Sequence, residues 1–262
     1  METTLKPCWR MLLLPLLLLL AACGGGGEAT PAQLRIGQFL YAPETARITL
    51  SSPDADSAAY TLDYASLTDY QSFAPGTYTV DVTAGGRHLL HETIGLGTGG
   101  RYSLLVAGIP SASQEVNQST FGTRLHRIFE GAAARTDNAF LPQILLQNDY
   151  FVPVPGKGNL RVTQLAPGIV PVDLELNRKG EQTATLSGVA YTHASDRERF
   201  AAGNYAAALH LAGSPQHRLD FQLSVDTASF TNLYVVPEMT ASGRLRVVTG
   251  KTFSSGGNAS GR

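Results

Sequence analysis

The sequence predicts an all-β protein built from two tandem β-sandwiches, and three observations support this. Only 16% of the residues are charged and Gly is abundant, while Val, Thr, Tyr, Leu and Phe recur at short spacing, as is typical of exported β-proteins. Short alternating segments are separated by turn signals roughly every 8 to 12 residues. Three segments recur in the same order about 127 residues later, which indicates a duplicated domain.

The chain opens with the pattern of a cleaved export signal. Lys6 and Arg10 precede the apolar run Met11–Ala22, which ends in small residues. This run has about half of the roughly 20 residues that a spanning helix needs, and Pro15 lies inside it. A transmembrane helix is therefore the weaker interpretation.

The end of this run, Leu20-Ala21-Ala22-Cys23, resembles the lipobox of bacterial lipoproteins. The resemblance implies that residues 1–22 are a signal peptide. It also implies that Cys23 becomes the mature N-terminus, with a diacylglycerol thioether and usually an amide-linked acyl chain, which together anchor firmly in a membrane. Cys8 would leave with the signal, so no disulfide is expected. Residues 23–32 then form a flexible tether of roughly 15 Å.

The net charge and the residue after Cys23 indicate which partners to expect and where in the cell the protein is located. The formal net charge is −1, and removing residues 1–22 leaves −2. Without a basic stripe, a nucleic-acid partner is not expected. Gly24 stands where the inner-membrane retention signal of enterobacterial lipoproteins would have Asp. That resemblance implies the periplasmic face of the outer membrane, with Cys23 as the membrane contact.

The duplication rests on three pairs of blocks. One such pair is easily a coincidence, whereas three in the same order at nearly constant spacing indicate a repeated domain, and a solenoid would need a shorter period. The pairs are Leu34–Phe39 with Leu160–Leu165 (offset 126), Phe73–Tyr78 with Phe200–Tyr205 (offset 127) and Arg101–Val106 with Ser229–Tyr234 (offset 128).

Each copy, over residues 33–109 and 158–250, contains a series of predicted strands. Thr77–Val82 alternates polar and apolar residues at period two. Pro75-Gly76 before it is a turn, and Ala84-Gly85-Gly86 after it is a hairpin connection to Arg87–Ile94. The other predicted strands are Tyr102–Val106, Leu160–Leu165, Val172–Leu176, Tyr205–Leu211, Leu219–Val225 and Phe230–Val236.

The copies resemble a domain-of-unknown-function family of exported bacterial and archaeal proteins, often found in tandem. The family reads roughly "LRVVHASPDAPAVDVYVDG … PAGTYTVEVRPAG … YTVLATG". The resemblance implies immunoglobulin-like or transthyretin-like sandwiches, and the family's biochemical role is uncharacterised. Where the family has a histidine in this loop, this chain has Gln38 in the first copy and Gln164 in the second. The matching segments are Leu34-Arg35-Ile36, Ala74–Val82 and Gly100–Val106, then Leu145–Asp149 for the "LLxDD" before a second copy, then Leu160-Arg161-Val162 and Pro171–Leu176.

The segments outside the copies are predicted to be connections. Residues 110–157 read as a linker with a short helix over Thr123–Ala134, which either fills the gap between the sandwiches or binds a partner. Gly243–Thr249 is predicted to add an edge strand. The Gly/Ser-rich tail, residues 251–262, is predicted to be disordered.

A search for chemistry finds no convincing site. His88 and His91 are three apart on a predicted strand, where an odd separation puts the two rings on opposite faces, so no metal site is predicted. His193, Ser195 and Asp196 are adjacent in sequence, whereas a catalytic triad is assembled from separate elements. No catalytic residue, metal or cofactor is therefore expected.

Two other groups are read as ordinary surface or core positions. Asp54 and Asp56 resemble a calcium-tolerant loop, but the other ligands of such a site are missing, so a solvated hairpin turn is expected. Tyr60, Tyr64 and Tyr70 could stack on sugars if they were exposed. Aromatic residues at such strand positions are more often core or cross-strand pairs.

The expectation for function is a non-enzymatic, lipid-anchored envelope protein that binds or scaffolds an envelope protein or polymer. The alternatives are a hydrolase acting on peptidoglycan or an envelope glycan, a carbohydrate-binding module, or a part that only stiffens a larger assembly. A concave pocket with convergent acidic or histidine groups would favour the enzyme. An exposed apolar patch between the copies would favour the binding protein.

Overall fold

A computed structural model describes residues 29–41, 45–110, 140–180, 183–212, 214–239 and 244–253. In these ranges every element of regular secondary structure is a β-strand, which confirms the predicted all-β class. No helix there could span a membrane. Cys23, the predicted helix Thr123–Ala134 and the tail beyond Phe253 lie outside the described residues.

The first half of the described chain contributes nine strands. They are β1 (Ala32–Leu40), β2 (Thr45–Ser52), β3 (Ala55–Asp63), β4 (Ser66–Leu67), β5 (Gln71–Phe73), β6 (Gly76–Ala84), β7 (Arg87–Leu96), β8 (Arg101–Gly108) and β9 (Gln143–Asn148).

The second half of the described chain contributes eight strands. They are β10 (Lys157–Gln164), β11 (Val172–Asn177), β12 (Ala184–Val189), β13 (Glu198–Ala201), β14 (Gly203–Leu211), β15 (Ser214–Val225), β16 (Ser229–Pro237) and β17 (Leu245–Phe253).

The strands form four sheets, two in each half. In the first half, outer sheet one has the order β3-β2-β6-β7 and inner sheet one has the order β4-β1-β8-β9, with β5 also paired to β1. In the second half, outer sheet two is β12-β11-β14-β15 and inner sheet two is β13-β10-β16-β17. Each outer sheet packs on its own inner sheet, so each half is a β-sandwich.

Two apolar cores fill the sandwiches. The alternation of strand side chains sends every second residue of a strand into a core. The first core joins Leu34, Ile36 and Leu104 to Ile48, Val80 and Val82. The second joins Leu160, Val162 and Leu233 to Leu174, Leu209 and Leu223.

A third core lies between the two inner sheets, so the sandwiches pack on each other. Its buried members are Phe39, Leu105, Ala107, Leu165, Tyr234 and Val236. The four sheets therefore form four layers, with the inner sheets covered on both faces. Parallel pairing is found almost only where both faces of a sheet are buried, and β1·β8 and β10·β16 are the parallel pairs here.

The strand register corrects one part of the predicted duplication. Arg35 lies opposite Ser103 in the first parallel pair, and Arg161 lies opposite Asn232 in the second. The equivalent of Ser103 is therefore Asn232, so the offset of the third block is 129 and the predicted 128 was wrong. The prediction paired Tyr102 with another aromatic residue, and a one-residue slip exchanges the two faces of a strand.

A tyrosine motif occurs in both halves. The Tyr78 hydroxyl donates to the carbonyl oxygen of Ala74 at 2.9 Å, and the Tyr205 hydroxyl donates to that of Ala201 at 2.8 Å. Each Tyr ring also meets, edge-on, the ring of a Phe that lies five residues before it in the chain. The matched contacts agree with a repeated fold.

Two strands lie where the sequence predicted a linker and a tail. β9 falls within the predicted linker, residues 110–157, yet it is the edge strand of inner sheet one and pairs with β8. The predicted edge strand Gly243–Thr249 is present as β17, which pairs with β16. β17 continues to Phe253, into the segment predicted to be disordered.

Candidate functional site

A buried ion cluster joins the sandwiches at the face between the inner sheets. Asp149 follows β9 and is fully buried. The side chains of Arg35 on β1 and Arg161 on β10 are almost completely buried. Arg161 Nη2 lies 2.5 Å from Asp149 Oδ1, and Arg35 Nη2 lies 3.5 Å from Asp149 Oδ2. Because Arg35 and Arg161 are equivalent residues of the two copies, one carboxylate bridges both halves.

Neutral donors complete the coordination of the Asp149 carboxylate. The Tyr70 hydroxyl donates to Oδ2 at 2.7 Å, Asn232 Nδ2 donates to Oδ1 at 3.2 Å, and the Ser103 hydroxyl also donates to Oδ2. In each copy the arginine Nε donates across the parallel pair, to Ser103 or to Asn232. A buried carboxylate with this many partners is satisfied and structural.

The surroundings raise the pKa of three members of the cluster, Arg35, Tyr70 and Tyr234. Burial opposes the charge of Arg35, but Tyr234, Tyr70 and Asp149 outweigh it and raise the pKa of the guanidinium. Burial, followed by the Asp149 charge, raises the pKa of Tyr70. Burial likewise raises the pKa of Tyr234. The cluster therefore acts as a clamp between the sandwiches and supplies no group poised for proton transfer.

Two grooves open at the end of the interface where the four central strands begin. One has a volume of about 620 Å³ and the other about 300 Å³. They share Tyr150 and Phe151, and together they are called the arginine cleft below. The first groove is lined by Thr30, Pro31, Gln33, Gly99, Arg101, Tyr150, Phe151 and Pro153. The second is lined by Tyr150, Phe151, Val152, Asn159, Arg197 and Arg199.

Arg197 links the cleft to the buried cluster. Its guanidinium donates to the carbonyl oxygens of Asn148, at 3.0 Å, and Tyr150. Its Cζ lies 4.6 Å from the centroid of the Phe230 ring, and Arg161 Cζ lies 5.0 Å from the same centroid. Burial, and then the charge of Arg161, lowers the pKa of Arg197. Arg197 and Arg161 therefore place two guanidinium groups on the same Phe230 ring, at the inner end of the cleft.

The segment between the grooves presents an aromatic residue to solvent. Tyr150 is 60% exposed and Val152 is 57% exposed. Phe151 between them is buried, with its ring centroid 5.8 Å from that of Phe230. The alternation holds the segment in place and leaves the Tyr150 ring free for contact. Tyrosine rings of this kind supply apolar area with a polar tip.

The chemistry of the cleft is that of anion recognition. Arginine binds carboxylates and phosphates through two parallel N–H donors. Among the described lining residues there is no carboxylate and no histidine. Those are the groups that the predicted hydrolase alternative needs.

The tyrosines considered for sugar stacking are placed differently. None of Tyr60, Tyr64 and Tyr70 is classed as exposed. Tyr60 packs against the first core, the Tyr64 hydroxyl donates to the Pro237 carbonyl oxygen at 2.9 Å, and Tyr70 binds Asp149. The exposed aromatic residue of the cleft, Tyr150, was missed by the sequence analysis.

The structure does not bring the candidate triad residues together as a triad. The Ser195 hydroxyl donates to the Asp196 main-chain oxygen at 2.9 Å. His193 Nδ1 lies 2.9 Å from the carbonyl oxygen of Tyr191. The Ser195 and His193 side chains are therefore engaged with main-chain groups, and the Ser195 hydroxyl also accepts from the Val162 amide at 3.0 Å.

Asp54 and Asp56 lie at the hairpin between β2 and β3. Both are exposed, and the Asp54 amide donates to the Ser52 hydroxyl at 3.4 Å. This is the solvated hairpin turn that the sequence predicted.

The expectation that His88 and His91 point to opposite faces was wrong. The pairing of β6 with β7 runs from Val82↔Leu90 directly to Thr83↔His88, so Leu89 is an extra residue, a β-bulge. Both rings consequently lie on the outer face, beside Asp81.

Comparisons with known proteins give fold-level similarities only. No protein-family model and no curated protein matches the chain. Similarity to the domain-of-unknown-function family therefore stays a prediction from the quoted motifs.

Three solved structures illustrate those similarities. The Bacillus anthracis TIE protein is 11% identical with a TM-score of 0.25, over 79% of this chain and 34% of that one, so this chain spans about a third of its length. A family CBM26 module from Eubacterium rectale Amy13K, in complex with maltoheptaose, is 12% identical with a TM-score of 0.26, over 82% and 95%. A candidate cell adhesion protein from Bacteroides ovatus is 8% identical with a TM-score of 0.23, over 85% and 96%. At these TM-scores none of them carries an argument about ligand or activity.

Proposed function

We propose that this chain is a lipid-anchored cell-envelope protein that binds an anionic envelope glycan through the arginine cleft. The observation that carries the proposal is the gathering of Arg101, Arg197 and Arg199 around the exposed Tyr150 ring, without a carboxylate in the described lining. The arginines suit carboxylate or phosphate groups of the glycan. The tyrosine suits the apolar face of a sugar ring.

The charge balance beside the cleft supports an anionic ligand. The three guanidinium groups of Arg35, Arg161 and Arg197 lie around the single Asp149 carboxylate, which contributes to the pKa values of Arg35 and Arg197. This leaves a local excess of positive charge behind a groove that is open to solvent. An anion bound at Arg197 or Arg199 would offset that excess.

The position of the cleft suits a ligand near the membrane. The Gly99 amide donates to the Thr30 carbonyl oxygen at 2.9 Å, which fixes the start of the described chain at the rim. Cys23 precedes Thr30 by seven residues, so an extended tether reaches at most about 25 Å. If Cys23 carries lipid, the cleft lies in the layer next to the anchoring leaflet. On the expectation from Gly24, that layer is the periplasmic side of the outer membrane.

A glycan is favoured over a protein partner because of where the apolar surface lies. An exposed apolar patch between the copies was the expected mark of a protein-binding surface. Most of the apolar surface between the copies is instead buried in the third core, whose members run from Phe39 to Val236. The accessible surface at the end of the interface is a cleft that combines arginine side chains with the exposed Tyr150 ring.

The anchor is tested by labelling the expressed protein with a tagged palmitate analogue. Wild-type protein should take up label and sediment with membranes, whereas Cys23→Ser should take up none and appear as soluble or uncleaved protein. Cys8→Ser is the matched control and should label normally. Equal labelling of Cys23→Ser would overturn the lipid-anchor part.

The cleft is tested by binding to polygalacturonate, with neutral dextran as the comparison polymer. Arg199→Gln and Tyr150→Ala should each weaken polygalacturonate binding, by about 10-fold or more for the arginine, because a hydrogen bond to a charged group contributes roughly 1.5–3 kcal/mol. Arg218→Gln, an exposed arginine of outer sheet two, should bind as wild type. Equal affinity for dextran, or no loss in Arg199→Gln, would refute the glycan proposal.

A further inference from the structure

A second cluster of ligand-type side chains lies on outer sheet one, outside the arginine cleft. Asp81 on β6 faces His88 and His91 on β7 across the hairpin. Asp81 Oδ1 lies 3.0 Å from His88 Nε2 and 2.7 Å from His91 Nδ1. The three ligand atoms all lie within 4.8 Å of one another.

The bulge at Leu89 is what assembles the cluster. In a regular strand His88 and His91 would point to opposite faces. With the extra residue, Leu89 and Leu90 both pack against the first core, and the two histidines both point to solvent. His91 is the direct cross-strand partner of Asp81, and His88 occupies the diagonal position.

The geometry needs little change to hold an ion. Ligand atoms about 2.0–2.2 Å from a tetrahedral zinc ion are separated from one another by roughly 3.3–3.5 Å. The Asp81–His88 contact at 3.0 Å is shorter than this by about 0.3–0.5 Å, and the Asp81–His91 contact at 2.7 Å is shorter by about 0.6–0.8 Å. The side chains are partly exposed, at 34% for Asp81, 54% for His88 and 68% for His91, so both rings have room to turn and solvent can provide the remaining ligand.

We propose that Asp81, His88 and His91 form a zinc-binding site on outer sheet one. Two imidazole nitrogens and one carboxylate are borderline ligands that suit Zn²⁺, whereas Ca²⁺ and Mg²⁺ prefer oxygen ligands throughout. The Asp81 carboxylate lies between the two imidazole rings, with Oδ1 in contact with a ring nitrogen of each. Three protein ligands with an open fourth position give a site accessible from solvent.

The test is a Zn²⁺ titration of the full chain in detergent, by isothermal calorimetry. The chain carries Cys8→Ser and Cys23→Ser throughout, because thiolates also bind zinc. The background protein should bind one Zn²⁺ per chain. His88→Ala and His91→Ala should each weaken binding about 100-fold, the share expected of one ligand in a zinc site. Mg²⁺ should not compete.

The matched controls are His193→Ala and His210→Ala, which remove histidines far from the hairpin in sequence and should leave zinc affinity unchanged. Urea unfolding without metal should still give one cooperative transition for His91→Ala, with a midpoint only slightly below that of the background protein because one exposed hydrogen bond to Asp81 is lost, and this separates lost ligation from lost folding. Absence of stoichiometric binding would overturn the proposal. So would equal binding by His88→Ala and His91→Ala.

Discussion

Replacing Asp149 with Asn tests the clamp between the sandwiches. Asn keeps the size of the side chain and one acceptor oxygen but removes the negative charge that lies between Arg35 and Arg161. Both arginines remain buried, at 3% and 7% exposed, so they cannot recover hydration without opening the interface. The substitution therefore leaves two buried cations without their counter-ion.

The magnitude follows from the burial of the cluster. Removing one partner of a buried ion pair destabilises a protein by about 3–5 kcal/mol. For a folded region of roughly 200 residues, each kcal/mol corresponds to about 2–4 °C of Tm, so Asp149→Asn should lower Tm by about 6–20 °C. The matched control is Asp220→Asn, which removes an exposed partner of Arg218 and should cost less than about 1 kcal/mol.

The assay is urea unfolding followed by tyrosine fluorescence and far-UV circular dichroism in parallel. Because the third core joins the two sandwiches, wild-type protein should show coincident transitions by the two probes. A loss below about 1 kcal/mol for Asp149→Asn, comparable to that of Asp220→Asn, would refute the clamp.

Three further predictions concern other parts of the fold. Tyr78→Phe and Tyr205→Phe should each lower the free energy of unfolding by about 1 kcal/mol, because each loses one hydrogen bond to a carbonyl oxygen; urea midpoints measure this, and unequal losses would count against equivalent motifs. Gly108→Ala should lower the free energy of unfolding by about 1–3 kcal/mol in the same assay, because Gly108 has a φ of +127° and a Cβ there would lie 2.5 Å from the Leu141 oxygen. The control Gly95→Ala would place its Cβ in open space and should be tolerated. Hydrogen bonds from His91 and His88 lower the pKa of Asp81 in the folded protein below its unfolded value, near 3.8. The ionised Asp81 therefore stabilises the fold above the unfolded pKa, and this stabilisation is lost as the pH falls through the folded pKa. With chelator present, wild-type stability should therefore fall more steeply than that of Asp81→Asn below about pH 4, and parallel pH profiles would contradict this.

The strands of the outer sheets were readable from sequence because each one alternates on a single buried core. Thr77–Val82 shows the period of two that β6 displays in the structure, with Tyr78, Val80 and Val82 buried. The strands of the inner sheets look different, since Leu104-Leu105-Val106-Ala107 on β8 is continuously apolar. Such a run is typical of a strand covered on both faces, and it is a signal of the contact between the sandwiches that the sequence analysis did not use.

The ion clamp and the cleft could not be derived from spacing. In the sequence, Arg35 and Arg161 each stand between two apolar residues. The same pattern is typical of an arginine on an exposed edge strand, so it does not indicate burial. Their counter-ion Asp149 comes from a segment predicted to be a linker. The cleft draws on four separate parts of the chain, near positions 30, 100, 150 and 198, so only the tertiary fold brings its side chains together.

The histidine pair shows how one local irregularity reverses a prediction. Strict alternation separates His88 from His91, and the prediction applied that rule. The adjacent apolar residues Leu89 and Leu90 interrupt the alternation, and such a doublet inside a strand is the sequence signal of a bulge. Reading it would have placed both rings beside Asp81.

The most direct test of the proposed function is photo-crosslinking from position 150 in the native envelope. A photoreactive phenylalanine analogue replaces Tyr150 in the full chain, and the same analogue replaces Thr61, an exposed residue of outer sheet one, as the control. The account predicts a crosslinked acidic glycan from position 150, reduced by Arg199→Gln and absent from position 61. Recovery of the same material from both positions, or of no glycan from position 150, would contradict it.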